Sequence, residues 1–307
     1  MAQLIKLRDY ISRYELDIYR YPSQYIRLKR DRWEKLLLSW ESDFNHDKES
    51  KPEPKKKKSL FSKLSPFRKK VKKEETELTS DKLEDFPKTE DELRRYFLNQ
   101  LYPFQLKWAT SSISHVSFMN RKYNKEADLE YFLKRFPDNY FVMYYPVFNI
   151  NKVPIDAEII LISPIHIEII YILDDFNDAT VMVTDDRTWM IEKHDTKSKI
   201  LSPINALKRT ERLVRSILKK NDISYTIQKT VLTKNNFTIF QQEPYNTLVV
   251  GKHEYEDWFR ERRALDSPLK SVQLKAADQL LKYCLTTSVK RPEWEEDSEG
   301  YTTVGEG

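Results

Sequence analysis

The chain has 307 residues, room for one large domain or a domain with a smaller satellite, and enough to bury a real core. It is polar for a globular protein, with 33% charged residues and a net charge of +5. Its four glycines are Gly251, Gly300, Gly305 and Gly307, too few and too far apart for the phosphate-cradling loops of kinases, NTPases or dinucleotide enzymes, so no nucleotide cofactor is expected.

Residues 1–42 read as an N-terminal helical arm. Ile26, Trp33, Leu37 and Trp40 fall on one helical stripe, which needs cover from the rest of the chain or from a protein partner. Charges interrupt the first residues where a secretory signal needs an apolar core, so no signal peptide is expected. No window reaches about 20 uninterrupted apolar residues, and no membrane span is expected.

Residues 43–88 are charged and aperiodic, the composition of a disordered basic linker. Within residues 55–73 stand Lys55, Lys56, Lys57, Lys58, Lys63, Arg68, Lys69, Lys70, Lys72 and Lys73, with no acid among them. Residues 51–75 carry a net +8, which leaves 42 basic against 45 acidic residues elsewhere. The positive balance is therefore a tethered patch on a mildly acidic body. Leu60, Phe61, Leu64 and Phe67 interleave with the lysines, a pattern that fits nucleic-acid phosphates or an anionic membrane surface. Phosphorylation of Ser59, Ser62 or Ser65 would weaken either attraction.

Residues 89–250 read as an α/β core. Thr89 and Glu92 form a capping box, and Leu93, Tyr96, Phe97 and Leu101 continue a helix until Pro103 interrupts. A second helix carries Leu129, Phe132, Leu133 and Phe136 inward. A strand over residues 140–148 follows, then two apolar strands meeting at Ser163-Pro164, then a strand over residues 179–185. Ser202 caps a helix with Pro203 at its first position, its inner face being Ile204, Leu207, Val214, Ile217 and Leu218. Two more strands flank the turn Lys234-Asn235-Asn236. Residues 251–291 form a C-terminal helical extension whose last helix starts at Ser267-Pro268, and residues 292–307 are an acidic flexible tail. This order predicts an α/β fold with a mixed central sheet flanked by helices. His46, His115, His166, His194 and His253 include no pair at metal-binding helical spacing. His166 and Glu168 are expected at a turn and on a solvent-facing rim. The lone Cys284 permits no internal disulfide, suits a reducing cytosol and reads as a buried thiol, so a cytoplasmic protein, peripheral at the membrane if the patch binds lipid, is expected.

Residues 120–240 resemble the nuclease-related domain (NERD) family, a branch of the PD-(D/E)xK nuclease superfamily. Glu126 falls where that family has a glutamate opening a helix, and Asp156-Ala157-Glu158 where it has an acid-Ile-acid strand start. Ser163-Pro164 follows in register, with His166 at a usual turn glycine, and Trp189 matches the tryptophan strand. Ser202-Pro203-Ile204-Asn205-Ala206 matches a helix start that the family writes Asn-Pro-x-x-Gln. The resemblance implies a restriction-endonuclease-like core. It implies Mg²⁺ or Mn²⁺ at Glu126, Asp156 and Glu158 if a residual acidic site binds metal.

The family's Glu-x-Lys pair lands on Tyr171-Ile172-Leu173. Alternate strand residues share a face, so that pair points a carboxylate and an amine together at the metal and its water. A phenol and an aliphatic chain supply neither. The expectation is a nuclease-like core that has lost catalysis, holds no cofactor, and serves as a nucleic-acid-binding or scaffolding protein. Two alternatives compete with it. One is an active metal-dependent nuclease whose missing groups come from another element, Lys193 and Lys208 being candidates. The other is a peripheral membrane-associated protein held by the basic linker.

Overall fold

The structure is a computed structural model that describes residues 1–49, 87–174, 176–184, 187–194 and 196–291. Gln3–Leu7 forms β1, a strand buried along its whole length, so the expected helical arm over 1–42 is corrected at its start. A strand wins there because both faces are covered. The Lys6 ammonium, fully buried, donates to Glu15 Oε1 (2.6 Å) and Thr286 Oγ1 (2.9 Å). Helix α1 begins only at Tyr21 and runs to Glu49, through the first residues assigned above to the linker. Helix α2 spans Glu90–Trp108. Its capping box is present, Glu92 N donating to Thr89 Oγ1 (3.2 Å) and Thr89 N to Glu92 Oε2 (3.3 Å). Pro103 does not stop it. The turn beyond is held by Gln105, which accepts from Leu4 N (3.1 Å) and donates to the Ala2 carbonyl (2.9 Å).

In chain order there follow β2 (His115–Val116), α3 (Ala127–Arg135), β3 (Phe141–Tyr144), β4 (Val147–Ile150), β5 (Val153–Asp156), β6 (Ile159–Ile162) and β7 (Ile167–Ile172). Next come β8 (Thr180–Val183), β9 (Thr188–Lys193), β10 (Thr196–Leu201), α4 (Pro203–Lys220), β11 (Ile227–Leu232), β12 (Phe237–Phe240) and β13 (Leu248–Val250). Helices α5 (Tyr255–Arg263) and α6 (Ser271–Lys282) and strand β14 (Val289–Lys290) complete the described chain. The fold is mixed α/β. Two of its units are Met1–Gln24 with Tyr102–Gly307, and Tyr25–Leu101. In the second, Trp33 packs on Phe97 at 5.2 Å and Trp40 Nε1 donates to the Pro87 carbonyl (2.6 Å), so both tryptophans of the predicted stripe meet residues of the same chain.

The main sheet has the order β1-β3-β6-β7-β11-β13. β6 runs against the other five strands: it is antiparallel to β3 and β7, while β1 with β3, β7 with β11, and β11 with β13 are parallel. The start of β6 therefore lies at the same sheet edge as the ends of β3, β7 and β11. A second sheet has the order β10-β9-β8-β12, and β4 with β5 and β2 with β14 make two-stranded pairs. Three details differ from the sequence reading. The strand over 140–148 is two strands in different sheets, broken at Tyr145-Pro146, where Tyr145 adopts φ 45°. Asp156 ends β5 and Glu158 precedes β6, so the two acids do not share one strand. The turn after β11 delivers β12 to the other sheet, where it pairs with β8.

The Ser163-Pro164 corner is present. Ser163 Oγ accepts from Ile165 N (3.3 Å) and His166 N (3.0 Å) and donates to the His166 carbonyl (2.8 Å). Ser202 caps α4 by accepting from Ile204 N (3.3 Å), and the predicted inner face of that helix is buried on β7 and β11. α6 starts at Ser271, later than expected, and the Leu265 and Ser267 carbonyls before it accept from Asn139 Nδ2 (2.9 and 2.8 Å) and not from a helix. Cys284 lies just past α6; burial of its thiol pushes the pKa up to about 12.

His166 and Glu168 are not rim residues. β7 is an inner strand covered on both faces, and Glu168 is 1% exposed. Its Oε1 accepts from Thr230 Oγ1 (2.5 Å), Trp258 Nε1 (3.1 Å) and Arg262 Nη2 (2.8 Å), and its Oε2 from Arg262 Nε (2.8 Å). Burial alone would raise this carboxyl. The His166 ring 3.9 Å away and the forked Arg262 guanidinium outweigh it and hold the pKa at about 2.

Candidate functional site

The sheet edge where β6 begins and β3, β7 and β11 end gathers a cluster of acids and phenols. Extending the β6–β7 register by one residue beyond Ile159↔Ile170 sets Glu158 opposite Tyr171. The neighbouring slot on that face is Leu173, which is buried. The position expected to carry the Glu-x-Lys pair thus adjoins Glu158 and presents a phenol and an aliphatic chain.

Tyr145, in its left-handed conformation between β3 and β4, is the hub of this edge. Burial raises its phenol, and the charges of Glu158, Asp128, Tyr171 and Glu126 raise it further. Glu126 stands at the N-cap position of α3, as the resemblance implies, yet it makes no side-chain cap. It accepts a long bond from the buried Tyr144 hydroxyl (3.5 Å), whose pKa is likewise raised by burial and then by Glu126. Glu158 is held from both sides: its backbone N donates to Thr210 Oγ1 (3.1 Å), and its carboxylate faces Arg209 at 3.8 Å. Burial raises its pKa, Arg209 opposes that, and Asp156 adds to it. Asp156 itself is exposed and pairs with Arg8 at 3.1 Å.

A cation does reach this edge, from a residue that the sequence reading missed. Lys234, in the turn after β11, places its ammonium 3.4 Å from Asp128 and 3.5 Å from Asp174, against the Tyr131 ring at 4.9 Å. Asp174 follows β7 directly; burial raises its pKa, Lys234 opposes that, and Asn235 N donates to it at 3.4 Å. The two lysines proposed from sequence lie elsewhere: Lys193 ends β9, and Lys208 sits on α4. Asp175 falls outside the described residues.

Glu126, Asp156 and Glu158 therefore lie along one edge without converging. Among the described residues no group of three or more His, Cys, Asp or Glu side chains is arranged to hold a metal ion. The carboxylates are each turned to a different protein cation or hydroxyl, and this donor set does not fit a resident Mg²⁺ or Mn²⁺, which needs several oxygens around one point. The ten basic residues from Lys55 to Lys73 fall outside the described residues. No helix among the described residues is long and apolar enough to cross a membrane.

Comparison with known proteins adds little to this geometry. No protein-family profile matches the chain, and no solved structure matches it. A segment of 47 residues is 53% identical to a protein of Geobacillus stearothermophilus named RNA 2',3'-cyclic phosphodiesterase. The segment is 15% of this chain and 15% of that relative, so the chain spans a small part of the relative it matches.

Two signals in the sequence pointed toward this edge: the Asp156-Ala157-Glu158 triplet, and Tyr171-Ile172-Leu173 where the resemblance implies a Glu-x-Lys pair. Nothing in the sequence pointed to Lys234, because its two carboxylate partners stand 106 and 60 positions away and only the sheet order brings them together.

Proposed function

We propose that this chain is a nuclease-related protein with a restriction-endonuclease-like core that binds nucleic acid, or scaffolds a partner, without cutting a phosphodiester. The observation that carries the reading is the composition of the sheet edge: Glu158 one residue before the β6–β7 ladder, Tyr171 one residue beyond its last pair, and the Lys234 ammonium seated between Asp128 and Asp174. An ammonium neutralises carboxylates but does not ionise a bound water as a divalent cation does. The meander of β3, β6 and β7 followed by α4 and a parallel β11 supports the nuclease-like core. The basic segment 55–73 adds an electrostatic tether for nucleic acid or, in a competing version, for anionic lipid.

The test is incubation of the purified chain with supercoiled plasmid and with single-stranded RNA, in Mg²⁺ and in Mn²⁺. No cleavage is expected. Metal-dependent nicking that disappears in Glu158→Ala overturns the reading. One observation favours the opposite view, since Lys234 is an amine borrowed from another element. An active enzyme of that kind loses its nicking in Lys234→Ala, whereas the present reading expects no nicking to lose.

A further inference from the structure

Helix α4 has a second face that meets the candidate site only through Arg209. Its inner face is buried, and its outer face repeats polar and cationic side chains at Asn205, Lys208, Arg209, Arg212 and Ser216. These positions follow the 3.6-residue period and extend about 16 Å along the axis. They line a concave groove of about 390 Å³ whose apolar floor is Ile155 of β5 and Leu213. Among the described residues no carboxylate lines it. Glu211, the one acid in the helix, is turned away and neutralised by Lys229 (2.7 Å) and Arg215 (2.6 Å). On an otherwise mildly acidic body this is a concentrated positive furrow.

We propose that the α4 groove is a binding site for the phosphodiester backbone of a single nucleic-acid strand, with Lys208 and Arg212 on the phosphates and Ile155 and Leu213 against the sugars. The proposal rests on the non-cleaving reading above and names the surface that reading lacks. Three features select this ligand. Guanidinium groups match phosphate oxygens in a planar fork, and two arginines line the groove. Lys208 and Arg212 stand one helical turn apart, about 6 Å along the axis, so they meet successive phosphates of one strand and not a single ion. The surface is concave with a narrow apolar floor, whereas a lipid surface calls for a broad apolar face. Arg209 joins the groove to the sheet edge: its side chain is 58% exposed and still faces Glu158 at 3.8 Å. A strand lying in the groove thus passes beside the edge where a nuclease would cut it.

The test uses the full chain and a fluorescein-labelled oligothymidylate of about 20 nucleotides, with anisotropy read across a salt series. In Lys208→Ala/Arg212→Ala the affinity is expected to fall at least about tenfold. The slope of log affinity against log salt should drop by about 1.4, since each lost phosphate contact on a single strand is worth about 0.7. Arg212→Lys keeps the charge and should keep most of the slope. A matched melting temperature for each variant establishes that the fold is intact. Three results overturn the proposal: unchanged affinity and slope in the double variant, binding that vanishes only when Lys55–Lys58 are neutralised, or binding to phosphatidylserine vesicles with none to the oligonucleotide. Plasmid cleavage would defeat the non-cleaving reading while leaving the groove result standing, so the two failures are distinguishable.

Discussion

Glu168 and Glu158 belong to adjacent antiparallel segments of one sheet, and their surroundings push them in opposite directions. Glu168 is the more deeply buried, yet its pKa is held at about 2 because four donor contacts, two from one guanidinium, converge on it. Glu158 is less buried and its pKa is raised, because a lone arginine at 3.8 Å does not offset desolvation. Depth alone does not set the charge state of a carboxylate; the number and geometry of its donors do. The first arrangement is structural. The second leaves a carboxylate with a raised pKa at a sheet edge, faced by one partly exposed arginine.

The strongest way to break this contrast is Arg262→Ala, which strands a buried carboxylate. It should cost about 3–5 kcal/mol in urea unfolding, while Glu168→Leu/Arg262→Met should recover most of that loss. A double variant as unstable as the single one would show that the ion pair itself, and not the orphaned charge, matters.

The acid limb sharpens the contrast next. A carboxyl whose folded pKa lies below its ordinary value of 4.5 stabilises the fold above that value, and the contribution is lost as pH falls toward about 2. Melting temperature should therefore fall steeply over that window in the parent chain and less steeply in Glu168→Leu/Arg262→Met. Parallel acid limbs in the two proteins would remove Glu168 as the cause.

The smallest effect has the opposite sign. Glu158, with its raised pKa, favours folding only while protonated and opposes it once pH rises through the folded value. Glu158→Gln should then raise stability at neutral pH by less than about 1 kcal/mol, discounted for the exposed, screened Arg209. A loss of stability would mean that the Arg209 contact outweighs desolvation.

Local physics made some of this molecule legible in its sequence. Ser202-Pro203 fixes the start of α4, and its inner face follows from the spacing of Ile204, Leu207, Val214 and Ile217. Ser163-Pro164 marks the corner between β6 and β7 because the serine side chain satisfies the turn's own backbone. What stayed hidden depends on partners far along the chain. Glu168 looks like a rim residue until Arg262, 94 positions later, is folded over it. Lys6 makes Gln3–Leu7 look amphipathic until Glu15 and Thr286 enclose its ammonium. At the candidate site, Tyr171 and Leu173 were readable in the sequence letter by letter, whereas the ammonium between Asp128 and Asp174 required the strand order.

Strand β1 has a consequence for how the molecule is made. Gln3 pairs in parallel with Phe141, so during synthesis this segment waits for its sheet neighbour until more than 130 further residues have been added. At about 5–20 residues per second that interval is on the order of ten seconds. Throughout it, the apolar run Gln3-Leu4-Ile5-Lys6-Leu7 stands without the strand that covers its edge in the folded molecule.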